Sequence, residues 1–162
     1  MVSMQGVYPF FDYGFVNDAT CPAVPNKKNN YPENSIMDIL ERKHPKMAFI
    51  AKTARLDVQL GEMEMRATLF LPPEDRLSEN MVKGLDINSA RRFLKYHLLI
   101  GIFPKNVITT SPYQNLQTSI KGQMITARLE HVCVLNDHSV IMEWDEIASN
   151  GVIHHISEPL LP

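Results

Sequence analysis

Two cysteines, Cys21 and Cys133, are too few for a disulfide scaffold. One bridge between them is allowed, and sequence alone cannot decide it. No run approaches the ~20 apolar residues that a helical membrane span needs. Neither sign of charge dominates: 16 Lys and Arg stand against 18 Asp and Glu, a net charge of −2. That balance argues against a dedicated nucleic-acid binder, which is normally basic across a domain or along a stripe. The tightest basic group, Arg91, Arg92 and Lys95, lies on a helical pattern and reads as a solvated face. Glycine is scarce, with 7 residues and no glycine-rich phosphate loop. No Asn-x-Ser/Thr occurs, so N-glycosylation has no acceptor. The first residues have no basic n-region and carry Asp12 and Asp18 where a secretory leader is uniformly apolar. These absences point to a protein assembled inside a cell, a virus particle or organelle included. A leader removed ahead of Met1 would reverse that expectation.

What is present suits one ordinary domain. Hydrophobic residues make up 44% and charged residues 21% of 162, enough for a real core. Residues 1–33 stand apart. Tyr8, Phe10, Phe11, Tyr13 and Phe15 fall within eight positions, followed by a polar stretch in which Pro22, Pro25 and Pro32 forbid a regular helix. They read as an extended aromatic arm, with the domain occupying 34–162. Ser35-Ile36-Met37-Asp38 fits a capping box with Asp in place of Glu, and its helix ends near His44, before Pro45. A second helix is expected from Met47 to about Leu56, with Phe49, Ile50 and Ala54 inward. ATLFLPP, 67–73, is a short strand halted by two prolines. A broken helical region follows over 74–84, with Leu77 and Met81 as its buried points. Asn88 is expected to cap a helix from Ser89 to about Leu99, closed by Gly101. Beyond it the period shortens. Strands are expected at 106–110, 116–120, 123–129, 131–135, 140–144 and 147–156, with a hairpin turn at Asn136-Asp137-His138 and another turn at Asn150-Gly151. Helices first and strands afterwards predict an α+β fold, helices packed on a β-rich wedge or sandwich.

Three stretches together resemble the fasciclin domain. ATLFLPPEDRL (67–77) is similar to its first signature, FLKYHLLIG (93–101) to its central Tyr-His element, and ASNGVIHHISEPLLP (148–162) to its second signature. The resemblance runs from about Asn34 to Pro162. His155 and Ser157 stand where that family commonly has Val and Asp. The resemblance implies adhesion or scaffolding, a core-packing histidine at 154, and a partner-contact role for the region of Tyr96 and His97.

The residues themselves allow the same reading of the last strand. Side chains alternate faces along a strand, so Val152, His154 and Ile156 share one face, and Ile153, His155 and Ser157 the other. His154 is therefore expected to be buried and hydrogen-bonded, and His155 to face solvent; the pair cannot serve one metal ion. Gly151 is expected to need a positive φ. Other candidates have bland readings. Cys133 with His131 lacks an oxyanion element. Glu143, Asp145, Glu146 and Asp137 lack a calcium-loop pattern. The six histidines form no i, i+4 pair suited to zinc. No catalytic, cofactor or metal residues are therefore expected, and Asn150, Gly151 and His154 are expected to be structural.

The function expected is a non-enzymatic protein-interaction module. It would act as a structural or accessory subunit of a larger assembly, such as a minor capsid protein or part of an organellar or cytoskeletal complex. Its partner contacts are assigned to the five arm aromatics with Tyr96 and His97. Two alternatives stay open. One is an apolar-ligand binder, carotenoid- or lipid-like, with Met63, Met65, Met81 and Met142 around a pocket; the other is a secreted adhesion protein.

Overall fold

The computed structural model describes residues 30–160. The chain divides into two units, Met1–Asn30 and Tyr31–Pro162, and the five arm aromatics lie outside the described residues. In the second unit Tyr31 already packs against the helical core, its hydroxyl donating to Asp57 at 2.7 Å.

The unit opens with α1 (Ile36–Lys43), where Ser35 caps as expected while the Asp38 carboxylate reaches past the cap residue to the Asn34 N–H, the Ser35 N–H being taken by Pro32 O. Ser35 Oγ accepts from the Asp38 N–H at 3.2 Å, and Asp38 Oδ2 from the Asn34 N–H at 2.7 Å. Pro45 then begins α2 (Pro45–Thr53) at the position where its missing N–H is harmless. Next come α3 (Asp57–Gly61), β1 (Ala67–Leu71), a 3₁₀ turn at Glu74–Arg76, α4 (Glu79–Lys83) and α5 (Ile87–Tyr96). The remaining elements are β2 (Leu98–Ile100), α6 (Lys105–Ile108), β3 (Tyr113–Gln117), β4 (Met124–Leu129), β5 (Cys133–Leu135), β6 (Ser139–Ala148) and β7 (Gly151–Ile156).

Seven strands form one sheet in the order β2-β1-β7-β6-β5-β4-β3. Among the described residues only β1 and β7 run parallel, Phe70 facing His154 in register. The last strand thus pairs between the first and the penultimate strand and joins the two halves of the sheet. The edges also approach one another: the Ser119 N–H, just beyond β3, donates to Leu98 O of β2 at 2.7 Å. The result is a nearly closed, wedge-like barrel with helices on its outer face, the α+β architecture expected.

Alternation along β1 divides the apolar residues into two cores. Ala67, Leu69 and Leu71 join α1, α2 and α5 in an outer core, while Phe70 points into the barrel with Leu99, Leu116, Ile125, Leu135, Ile141 and Ile156.

Several expectations need correction. Residues 106–110 begin as helix, not strand: Asp145 Oδ1, from β6, accepts the Lys105 N–H at 2.9 Å and caps α6. That tertiary cap overrides a local preference for strand. α5 starts two residues earlier than expected, capped by Asp86 rather than Asn88; Asp86 Oδ1 accepts from the Ser89 N–H at 2.8 Å. It stops at Tyr96, and Gly101 (φ 112°) ends β2 instead. Phe49 does not turn inward; it is 45% exposed. The hairpin turn after β5 forms as expected, with Asn136 and Asp137 both left-handed (φ 51° and 62°).

Candidate functional site

The residues singled out in the closing stretch meet where β7 enters the sheet. Asn150 is fully buried and makes three side-chain hydrogen bonds. Its Oδ1 accepts from the Ile36 N–H at 2.9 Å, satisfying an otherwise orphan donor at the start of α1. Its Nδ2 donates to Leu60 O at 2.8 Å and Glu62 O at 2.9 Å, the carbonyls at the end of α3. One amide therefore ties two helix ends to the β6–β7 turn.

Gly151 corrects the expectation of positive φ: among the described glycines only Gly101 and Gly122 have it. The requirement is space. A Cβ at Gly151 would lie 2.2 Å from Ala67 O and 2.7 Å from Ile36 Cδ1.

His154 lies on the barrel side of β7, wholly buried, between Phe70 and Trp144, whose ring meets it edge-on at 5.1 Å. Its Nδ1 accepts from the Asp145 N–H at 3.1 Å and its Nε2–H donates to Phe103 O at 2.7 Å. Burial holds the ring below its usual pKa, and hence neutral.

Tyr96 and His97 were expected to offer a partner surface. They offer none, being 3% and 0% exposed. The Tyr96 hydroxyl donates to Met124 O at 3.3 Å and accepts from Asn136 Nδ2 at 2.8 Å, tying α5 to the barrel hairpins. His97 Nδ1–H donates to Phe93 O at 2.8 Å, while Nε2 accepts the Leu160 N–H at 2.8 Å. The imidazole thereby pins the segment after β7 onto the end of α5.

Burial pushes the His97 pKa down to about 4 from 6.5. Protonation of Nε2 would aim a proton at the Leu160 N–H. The unfolded chain takes up this proton near pH 6.5 and the folded one only near 4, so stability falls as pH drops through that window. The expected loss from His97 is about 3 kcal/mol over the full span. Urea titrations between pH 7 and 5 should show a decline that is shallower in a His97→Gln variant, the remainder resting on His154 and His44, whose pKa values burial also lowers. Equal slopes in both proteins would remove His97 from this role.

On the opposite, helix-facing side of β7, His155 departs from the expected solvent exposure. It is half-buried, with Nε2 2.6 Å from Glu146 Oε1 and its ring 5.6 Å from that of His44. Lys43 Nζ approaches the other carboxylate oxygen of Glu146 at 3.4 Å. These three groups share no sequence neighbourhood, apart from the strand pairing of β6 and β7, and motif reading missed them for that reason.

The other candidates disperse. Cys133 is buried in the barrel core, its thiol pushed up to about 11, while His131 is exposed. Asp137 pairs with Arg128, Asp145 caps α6, and Glu146 turns to His155. The four methionines do not surround one cavity. Met65 lines an open hollow of about 220 Å³ beside Ile100, Met142 lines another of about 310 Å³, and Met81 packs on the helical core. A third hollow, about 240 Å³, has Phe49 between Lys46, Lys83, Glu74 and Glu79.

The fasciclin-domain family model matches residues 43–162. Stabilin-2 of Rattus norvegicus is 29% identical over 123 residues, covering 70% of this chain and 8% of that protein. Stabilin-2 of Mus musculus is 33% identical over 103 residues, covering 62% and 4%. The chain thus spans less than a tenth of the length of these relatives. Among solved structures, a FAS1 domain pair from the insect cell adhesion molecule Fasciclin I superposes with a TM-score of 0.64 at 21% identity, over 81% of this chain and 52% of that one. That likeness concerns the fold.

Proposed function

The chain belongs to the fasciclin-domain family, and from that premise we propose that it works as a non-enzymatic protein-contact module within a larger assembly. The fate of its motif residues supports this reading best. Tyr96, His97, Asn150 and His154 are buried and bonded to internal partners, so the polar chemistry at the motifs is committed to holding the fold. The surface also presents apolar side chains: Phe49, Ile100 and Met142 are exposed, each beside one of the open hollows. Hollows of 220–310 Å³ fall at or below the lower end of small-molecule pockets, which enclose most of their ligand. They fit single protruding side chains of a protein partner better than a carotenoid or lipid.

The main anchor in this reading is the aromatic run Tyr8, Phe10, Phe11, Tyr13 and Phe15. Aromatic side chains bury large areas at small entropic cost and dominate interface energetics. The test compares the full chain with one lacking residues 1–18. The truncated protein should melt within about 2 °C of the parent, as changes outside a core do. It should also lose the proteins that co-purify with the full chain, as read by mass spectrometry. The captured proteins then distinguish a virion subunit, an organellar or cytoskeletal complex and a cell-adhesion setting. A truncated domain that unfolds would assign the aromatics to its own core and sink the docking role.

A further inference from the structure

We propose that His44, Glu146 and His155 form a binding site for a zinc-type divalent transition ion. Each residue supplies one donor atom, and the three donors all lie within 4.8 Å of one another. Tetrahedral zinc with bonds of ~2.0–2.1 Å sets its ligands roughly 3.3 Å apart. Closing on an ion therefore needs shifts of about 1 Å or less, within reach of half-buried side chains that keep some rotational freedom.

The backbone explains why three residues so distant in sequence converge. His44 occupies the single-residue junction between α1 and α2, held there by Pro45. His155 projects from the helix-facing side of β7. Glu146 reaches the same side through a β-bulge in β6: the register passes from Glu143↔His155 to Glu146↔Ile153, three residues against two. Without the extra residue, 143 and 146 would point to opposite faces. Asp145 absorbs the bulge with a left-handed φ of 59°. A bulge that re-aims one side chain is a recurrent device next to functional sites.

The donor chemistry selects the ion. Two imidazoles and one carboxylate suit zinc and its borderline-soft neighbours; calcium and magnesium take oxygen ligands almost exclusively. Glu146 offers Oε1 to the site while Lys43 approaches Oε2, which orients the carboxylate. On binding, the ion replaces the proton between His155 Nε2 and Glu146 Oε1, and that proton leaves to solvent or moves to the other ring nitrogen. Three protein ligands leave a fourth position for water. His155 also borders the open 310 Å³ hollow with Leu71, Pro73, Met142 and Glu143, which provides a path for the ion. A bound ion would join the α1–α2 junction to the β6–β7 hairpin.

The full chain, stripped by chelator, is titrated with zinc chloride by calorimetry, and with cobalt(II) to read the visible absorption of a tetrahedral site. One saturable equivalent is expected, with a raised melting temperature. His44→Gln and His155→Gln should each weaken binding by at least about 100-fold, more than an outer-sphere partner typically costs. Glu146→Gln should weaken it as well. Replacing the exposed His131 and His138 with Gln should change nothing. The apo melting curve of each variant reports its folding, and if one variant fails to fold the other two decide. Absence of saturable zinc uptake, or uptake that survives His44→Gln and His155→Gln, overturns the proposal.

Discussion

Gly151→Ala is expected to destabilise the protein by about 4 kcal/mol, at the upper end of what overpacking causes. Free space does not exist at this position. The added methyl would sit 2.2 Å from Ala67 O and 2.7 Å from Ile36 Cδ1, and the nearer atom is backbone. Ile36 can change rotamer at modest cost, whereas Ala67 O can retreat only if β1 moves. Ala67 faces Gly151 at the start of the parallel β1–β7 ladder, the central seam of the sheet. Further along the seam, Leu69↔Ile153 and Phe70↔His154 feed the outer and inner cores respectively. A displacement there propagates into both, since close-packed interiors transmit strain. Urea unfolding of Gly151→Ala against the parent gives the number; a loss under 1 kcal/mol would show that β1 and β7 separate freely. Gly122, φ 85° with nothing within 4 Å, provides the contrast. Substitution there costs only local backbone strain.

That Asn150-Gly151 is a turn feeding a buried strand follows from local pattern, and the structure has that turn. The reason for glycine does not, because it depends on a carbonyl 84 positions away. α1 was legible down to its cap, since Ser35 and Asp38 act within one turn. α6 was not, because its cap is Asp145, contributed by a strand 40 residues later. The same distinction governs the sites. Alternation in β7 separates His154 from His155 correctly, as a period-two rule must. Tyr96 and His97 look equally suited to core or surface until Leu160 and Asn136 are seen to bond with them. The His44–Glu146–His155 cluster needed a helix junction, a bulge and a strand pairing at once, and no ligand spacing along the chain announces such a combination.

Asn150→Leu is expected to cost about 4 kcal/mol, for reasons of pairing rather than volume. Leucine has nearly the shape of asparagine, so packing changes little, yet the Ile36 N–H and Leu60 O lose the amide as partner, while Glu62 O keeps the Met65 N–H at 3.2 Å. The Ile36 N–H and Leu60 O are buried and gain no water in exchange; each costs ~1–3 kcal/mol when left unpaired. Glu62 O lies beside an exposed side chain and can be solvated, so it adds less. Asn150→Asp separates the two halves of the amide. An aspartate still accepts from the Ile36 N–H and places negative charge at the N-terminus of α1, which favours it. Its second oxygen, however, then faces the carbonyls of Leu60 and Glu62, where only a donor fits. Protonation restores a donor, so burial and those carbonyls raise the folded-state pKa of this carboxyl. A raised pKa means that the folded state binds protons more readily, and stability is recovered as pH falls. The aspartate variant should therefore be less stable than the parent at pH 7 and regain part of the difference by pH 5. The leucine variant should gain nothing relative to the parent over that range. Urea unfolding at the two pH values decides the matter. If Asn150→Leu loses less than 1 kcal/mol, or if the aspartate and leucine variants follow the same pH course, the Asn150 amide is not what joins the ends of α1 and α3 to the final turn.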